Sequence, residues 1–354
     1  MGHHPRVHDT TSALLSLTLL SLGCAPAEPV LLHALDDVLE DHDLPGLAVV
    51  LRVRGERVLQ VAVGESDMST GARMQTDTRV RIGSITKTMT GLALAELDHQ
   101  GVLDLDAPVS GWVDGLPQGD RMRIRDLATH HSGLRNFQDV EAYKRAEHEA
   151  WSESELLRIA TEQGLKVEPG SAYVYSATGF LVAGMVLEAA TGLSWHRAIT
   201  QTLGADAVAP GLGLPHGTGP LAQGYLDLEP VIASASADNG RAAAALAASA
   251  DDLDALLHAL ESGTLIAPAA WEEARFPHVD RGRGLRYGLG VTHDRWRYGH
   301  RGRVLGYVAA WRHIIDEDTT MVLTANASDV SSVGIEEDVW ELLEDYGYVD
   351  GAAW

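Results

Sequence analysis

The chain has 354 residues, 45% hydrophobic and 22% charged, a globular composition long enough for one large core or two interlocked lobes. Its 27 basic and 50 acidic side chains leave a formal net charge of −23; the dispersed acidic residues describe a solvated surface, and the lack of a basic patch argues against nucleic acid as partner. The single cysteine, Cys24, excludes an intramolecular disulfide and a cysteine-rich zinc cluster.

The first element in chain order is a short apolar run, ALLSLTLLSL, over 13–22. It is too short for an ordinary membrane-spanning helix and fits the apolar part of an export signal. Gly23-Cys24-Ala25-Pro26-Ala27 follow. Two processing routes fit these residues. Lipidation at Cys24 would leave a membrane anchor, whereas cleavage after Ala27 would release a soluble protein. Both place the mature chain outside the cytoplasm, periplasmic or extracellular. The expected division is therefore an export signal over 1–27 and one catalytic domain over 28–354.

Leu31, Leu32, Leu35, Val38 and Leu39 are spaced for a helix over about 29–42. LPGLAVVLRVRG (44–55) and RVLQVAVG (57–64) predict a pair of strands. From Ser84 the spacing of Ile85, Met89, Leu92, Leu94 and Leu97 is helical. Helices are predicted near 153–163, 178–191, 194–202 and 250–261. After Tyr287 the strand patterns return in YGLGVTH, RWRYGH, GYVAAWRHII and TTMVLTANA, and a helix over 334–346 closes the chain. Strands at both ends with helices between predict an α+β fold: one antiparallel sheet flanked by helices, with a helical lobe inserted. The α/β lobe would comprise about 28–105 and 280–354, and the helical lobe about 106–279. The cleft between them is the expected ligand site.

Three short stretches carry candidate chemistry. In RIGSITKTMTG (81–91), Ser84 stands one helical turn before Lys87. A serine at a helix start is most often an N-cap. The lysine changes the balance, because lysine is rare here: 24 of the 27 basic residues are arginine, and only Lys87, Lys144 and Lys166 are not. Unlike arginine, a perturbed lysine can lose its proton near neutral pH. The positive end of the helix dipole and partial burial both favour a neutral amine that accepts a serine proton. In YVYSATGF (173–180), Tyr175 precedes a helix and is a candidate proton relay. In YGHRGRVLGY (298–307), glycines punctuate a strand. Gly302 is a candidate for close approach by substrate backbone. Arg301 is a candidate partner for a substrate carboxylate. His300 lacks the companions of a metal site, and no metal is expected. His130 and His131 in IRDLATHHSGL (124–134) read as scaffold.

In this order, Ser-x-x-Lys, Tyr and His-x-Gly resemble the serine β-lactamase/penicillin-binding-protein superfamily, in the branch of class C β-lactamases, D-alanyl-D-alanine carboxypeptidases and related esterases. TRVRIGSITKTMTGLALAELDHQGVLDLDAPV, IRDLATHHSGL, YVYSATGFLVAGMVLEAATG, YGLGV and GHRGRVLGY are similar to family segments, in family order. The resemblance implies a β-lactamase/transpeptidase-like fold and an exported serine hydrolase without cofactor, acting on an ester, amide or β-lactam carbonyl of a small molecule or peptide. It implies that Ser84 is acylated and that Lys87 and Tyr175 share the base. It implies that His300 helps hold Tyr175 and the substrate, and that the backbone N–H groups of Ser84 and Arg303 form the oxyanion hole. The family commonly has Tyr-Ser-Asn where this chain has Tyr175-Ser176-Ala177. Ala177 lacks the amide that would contact the lysine and a substrate carbonyl, which puts amide and β-lactam turnover in doubt more than ester hydrolysis. A non-catalytic penicillin-binding-like sensor or binding lipoprotein is the alternative.

Overall fold

The computed structural model describes residues 28–147, 149–217, 219–231 and 238–349. The apolar run at 13–22 and Cys24 lie outside the described residues.

The strands are β1 (Gly46–Val53), β2 (Glu56–Asp67), β3 (Ala72–Arg73), β4 (Val279–Gly282), β5 (Leu285–Tyr287), β6 (Thr292–His293), β7 (Arg297–Val304), β8 (Tyr307–Ile314) and β9 (Thr319–Ala325). They form one sheet in the order β3-β2-β1-β9-β8-β7-β6-β5-β4. Every neighbouring pair is antiparallel. The two ends of the chain meet at its centre, where Leu47 pairs with Ala325 and Val53 with Thr319. Strands β8 and β9 are buried along their whole length, because helices cover both faces.

One face is covered by α1 (Glu28–Asp41) and α10 (Ser332–Asp345). Leu31, Leu35 and Trp340 meet Leu47, Val49, Val308 and Leu323 there in one apolar cluster. The opposite face packs α2 (Ile85–His99), whose residues 85–97 are all buried. Complete burial of a Leu92-sized side chain contributes about 1.5–3 kcal/mol. Beyond α2 lie α3 (Ile124–Ala128), α4 (Glu153–Thr161), α5 (Ala177–Thr191), α6 (Trp195–Thr202), α7 (Arg241–Ala244), α8 (Ala250–Glu261) and α9 (Pro268–Arg275). Helix α5 is apolar around its circumference because it packs against α2, α3, α4, α6 and α7. The middle of the chain is not wholly helical. Val80–Arg81 pairs with Ala247–Ala248, and Tyr225–Leu226 with Glu229–Pro230. Among the described residues no single helix is long and apolar enough to cross a membrane.

Candidate active site

The buried start of α2 faces β7, and two glycines set the distance. A Cβ on Gly302 would lie 1.8 Å from the Ile82 carbonyl oxygen and 3.1 Å from the Ser84 nitrogen. A Cβ on Gly83, where φ is +51°, would lie 2.7 Å from the Arg303 nitrogen. Only glycine lacks the Cβ that would block that approach, and it adopts the positive φ at 83 without strain. The backbone amides of Ser84 and Arg303 are thereby brought together.

Ser84 has helical dihedrals (φ −64°, ψ −7°), and its side chain makes no capping bond. Its Oγ instead lies 3.0 Å from the Tyr175 hydroxyl and accepts from Lys87 Nζ at 3.1 Å. This geometry removes the ordinary N-cap reading. Lys87 is 1% exposed and also donates to the Ala243 carbonyl at 2.9 Å. Nζ lies 5.1 Å from the centre of the Tyr175 ring. No carboxylate pairs with Lys87 among the described residues.

Tyr175 is held from both sides by a residue that the sequence presented as scaffold. His130 accepts the Ser176 N–H on Nδ1 at 3.1 Å, and its carbonyl accepts the Val174 N–H at 2.8 Å. Its ring lies 4.3 Å, centre to centre, from that of Tyr175. His130 has φ +60°, a conformation uncommon outside glycine that marks a constrained position. Burial, then the Lys87 charge, hold its pKa well below the ordinary 6.5, so the ring is neutral. The double histidine in a turn was visible in the sequence; the left-handed backbone that aims its ring was not.

Burial pushes the Tyr175 phenol up, but the Lys87 charge and hydrogen bonds to Ser84 and Lys87 outweigh it, and its pKa falls below the ordinary 10. The neighbouring phenols of Tyr173 and Tyr287 go the other way, raised mainly by burial. Tyr175 is thus the phenol in this cluster suited to hold negative charge.

His300 is placed differently from the expectation. Its Nδ1–H donates to the Arg301 carbonyl at 2.6 Å, so Nε2 accepts from the Tyr287 hydroxyl at 2.9 Å. Both ring nitrogens are occupied, and neither bonds Tyr175. Burial, then Lys87, push its pKa down to about 3, so it supplies no cation at neutral pH. Tyr287, the His300 partner, was present in YGLGV, but nothing in the spacing tied it to His300. Arg301 also requires correction. Strand alternation turns it away from His300, and two of its nitrogens pair with the buried carboxylate of Glu336 on α10. Glu336 engages Arg312 as well, at 3.1 Å. The Arg301 guanidinium is therefore occupied rather than offered to a substrate.

Ala177 is 1% exposed at the start of α5, and its N–H donates to Asn136 Oδ1 at 3.1 Å. Two cavities open beside the site. One of about 290 Å³ is lined by Tyr175, Arg281, Tyr287, His293 and His300 among others. The second, of about 390 Å³, lies on the Arg303 side with Arg81, Tyr143 and Ala244. Among the described residues no group of three or more His, Cys, Asp or Glu side chains is arranged to hold a metal ion.

This fold and site define the class: the chain belongs to the Beta-lactamase family, which matches residues 32–343. Among its relatives, it is 32% identical over 197 residues to esterase EstB of Burkholderia gladioli, across 51% of this chain and 50% of that protein. It is 32% identical over 168 residues to the D-aminopeptidase of Brucella anthropi, across 46% of this chain and 31% of the relative. The matched regions thus span half or less of these relatives' length. In fold it is similar to a D-stereospecific amidohydrolase from Streptomyces sp., with TM-score 0.75 and 23% identity, covering 93% of this chain and all of the other. It is likewise similar to the D-amino acid amidase of Ochrobactrum anthropi SV3, with TM-score 0.77 and 23% identity, covering 90% and 98%.

Proposed function

We propose that the chain is a serine hydrolase that forms an acyl-enzyme at Ser84 and prefers esters. The observation that carries this reading is Ser84 Oγ, free of capping, within hydrogen-bond reach of both Lys87 Nζ and the Tyr175 hydroxyl. Tyr175 takes the Ser84 proton as Oγ attacks the substrate carbonyl carbon. Lys87 stabilises the phenolate and donates to Oγ. The oxyanion accepts from the backbone N–H groups of Ser84 and Arg303. Tyr175 returns the proton to the leaving oxygen as the bond to it breaks, leaving the acyl group on Ser84. Water then attacks the acyl carbon, giving a proton to Tyr175, which passes it to Oγ as the acid departs.

Ala177 supports the ester preference. It presents a methyl group where an amide would orient the substrate carbonyl, and an ester asks less of leaving-group protonation than an amide. The relatives named esterase and D-aminopeptidase bracket this choice. The apolar run at 13–22, followed by small residues and Cys24, supports export to the periplasm or beyond, with lipid anchoring or signal cleavage as its two forms.

The test compares kcat/KM for p-nitrophenyl butyrate, D-alanine p-nitroanilide and a chromogenic cephalosporin. The ester should lead, with a burst of p-nitrophenol before steady turnover. Binding of all three without turnover would instead favour the non-catalytic sensor, and a leading amide would overturn the ester preference.

A further inference from the structure

Four arginines line the cavity beside Tyr175: Arg281, Arg297, Arg301 and Arg312. Three have carboxylate partners. Arg297 pairs with Asp294 at 2.7 Å, and Arg301 and Arg312 both pair with Glu336. Arg281, on β4, makes no ion pair among the described residues. Its guanidinium is instead braced over two rings, 5.2 Å from the centre of Tyr173 and 5.6 Å from that of Tyr287. Both rings pack against His130, which packs against Tyr175.

We infer that Arg281 is a positioning residue for the reaction: the second cation, with Lys87, that supports negative charge on Tyr175. This rests on the Ser84–Tyr175 reading and deepens it. The groups facing Tyr175 can be named one by one. Lys87 comes from α2, His130 from the turn after α3, Arg281 from β4, Tyr287 from β5 and His300 from β7, with Tyr173 two residues away on its own segment. His130 and His300 are neutral at working pH, and Tyr173 and Tyr287 stay protonated. Of these groups, Lys87 and Arg281 carry charge. One is buried and the other sits at the open rim of the sheet. The histidine on β7 therefore contributes no charge, and an arginine from an edge hairpin does. Arg281 lines the same cavity as Tyr175, and its charge favours the charged phenol in the same direction as Lys87, by less.

The experiment measures kcat/KM against pH with p-nitrophenyl butyrate, an uncharged ester, for the wild type, Arg281→Gln and Arg281→Lys. Arg281→Gln should move the acidic limb upward by roughly half to one pH unit. That is a loss of roughly three- to tenfold on the limb, vanishing at high pH. Arg281→Lys should restore most of it. In parallel, ¹³Cζ-tyrosine NMR in the Ser84→Ala background, with Tyr175 assigned through Tyr175→Phe, should show the same upward movement of the Tyr175 ionisation in Arg281→Gln. An unmoved limb and an unmoved resonance would overturn the inference while leaving Ser84 and Tyr175 in place. If a p-nitrophenyl ester with an anionic acyl group, assayed in parallel, alone loses turnover in Arg281→Gln while the limb stays unmoved, Arg281 is a substrate contact and the inference is equally overturned. Hydrolysis persisting in Ser84→Ala would sink the nucleophile reading, and the NMR titration would still decide the part played by Arg281.

Discussion

Two charged clusters sit on this sheet and are built on opposite rules. At one edge, Asp254 of α8 has a side chain 1% exposed and meets two arginines: Arg52 Nη2 at 2.7 Å and Arg57 Nε at 2.9 Å. Arg57 also reaches Asp251, which accepts from Gln60 and Thr76. Every buried charge there has an opposite. In the cleft, Lys87 is just as buried and meets a hydroxyl, a carbonyl and aromatic rings. Paired, desolvated charges hold a structure in register; a desolvated cation without a carboxylate carries its electrostatic stress to its neighbours. Here the neighbour is Tyr175, and the stress appears as a lowered phenol pKa.

Breaking each cluster should therefore give opposite results. The largest effect is expected at the proposed nucleophile. Ser84→Ala should lower ester kcat by roughly 10⁴-fold or more, with unchanged thermal stability. Lys87→Met, close in volume, should lower kcat by roughly 10²–10⁴-fold, read by p-nitrophenol release. Its unfolding free energy, read from urea titration, should hold or rise by on the order of 1 kcal/mol, because a buried unpaired charge has gone. Asp254→Ala should do the reverse. It should cost roughly 3 kcal/mol of stability by leaving Arg52 and Arg57 without their buried partner, and kcat measured well below the melting temperature should barely change. A collapse of kcat in that variant would erase the distinction between the clusters. His130→Leu should lower kcat by roughly 10–100-fold through misplacement of Tyr175.

The smallest effect concerns pH. Burial, then Lys87, depress the pKa of His300 to about 3, against 6.5 in the unfolded chain. As pH falls below 6.5 the unfolded state takes up that proton before the folded state does, so stability declines from there toward pH 3. His130 and His293 push the same way. Urea midpoints at pH 7 and pH 4.5 should differ less in His300→Gln than in the wild type.

Much of the fold was legible because its strongest signals are local. The helical spacing after Ser84 led to α2, and the apolar alternation after Tyr287 led to β7, β8 and β9. The hairpin of β4 and β5 carries no such signal. Its residues are mostly exposed and include two glycines and three arginines, so no apolar period marks it. Ser84, Lys87 and Tyr175 stand in short motifs, and the structure brings them together. What escaped depended on long-range partners. Tyr287 occupies His300, Glu336 claims Arg301, and His130 aims Tyr175 through a backbone conformation that its residue type does not announce. Arg281 escaped for the same reason, since its place over Tyr173 and Tyr287 exists only after the sheet edge forms.

The central claim is that the stress around Lys87 and Tyr175 is directed at Ser84. Intact-mass spectrometry after exposure to a fluorophosphonate tests it directly. The wild type should gain one phosphonyl group, mapped to Ser84, with labelling slowed strongly in Tyr175→Phe and in Lys87→Met and absent in Ser84→Ala. An adduct of equal size and rate in Ser84→Ala would contradict the account.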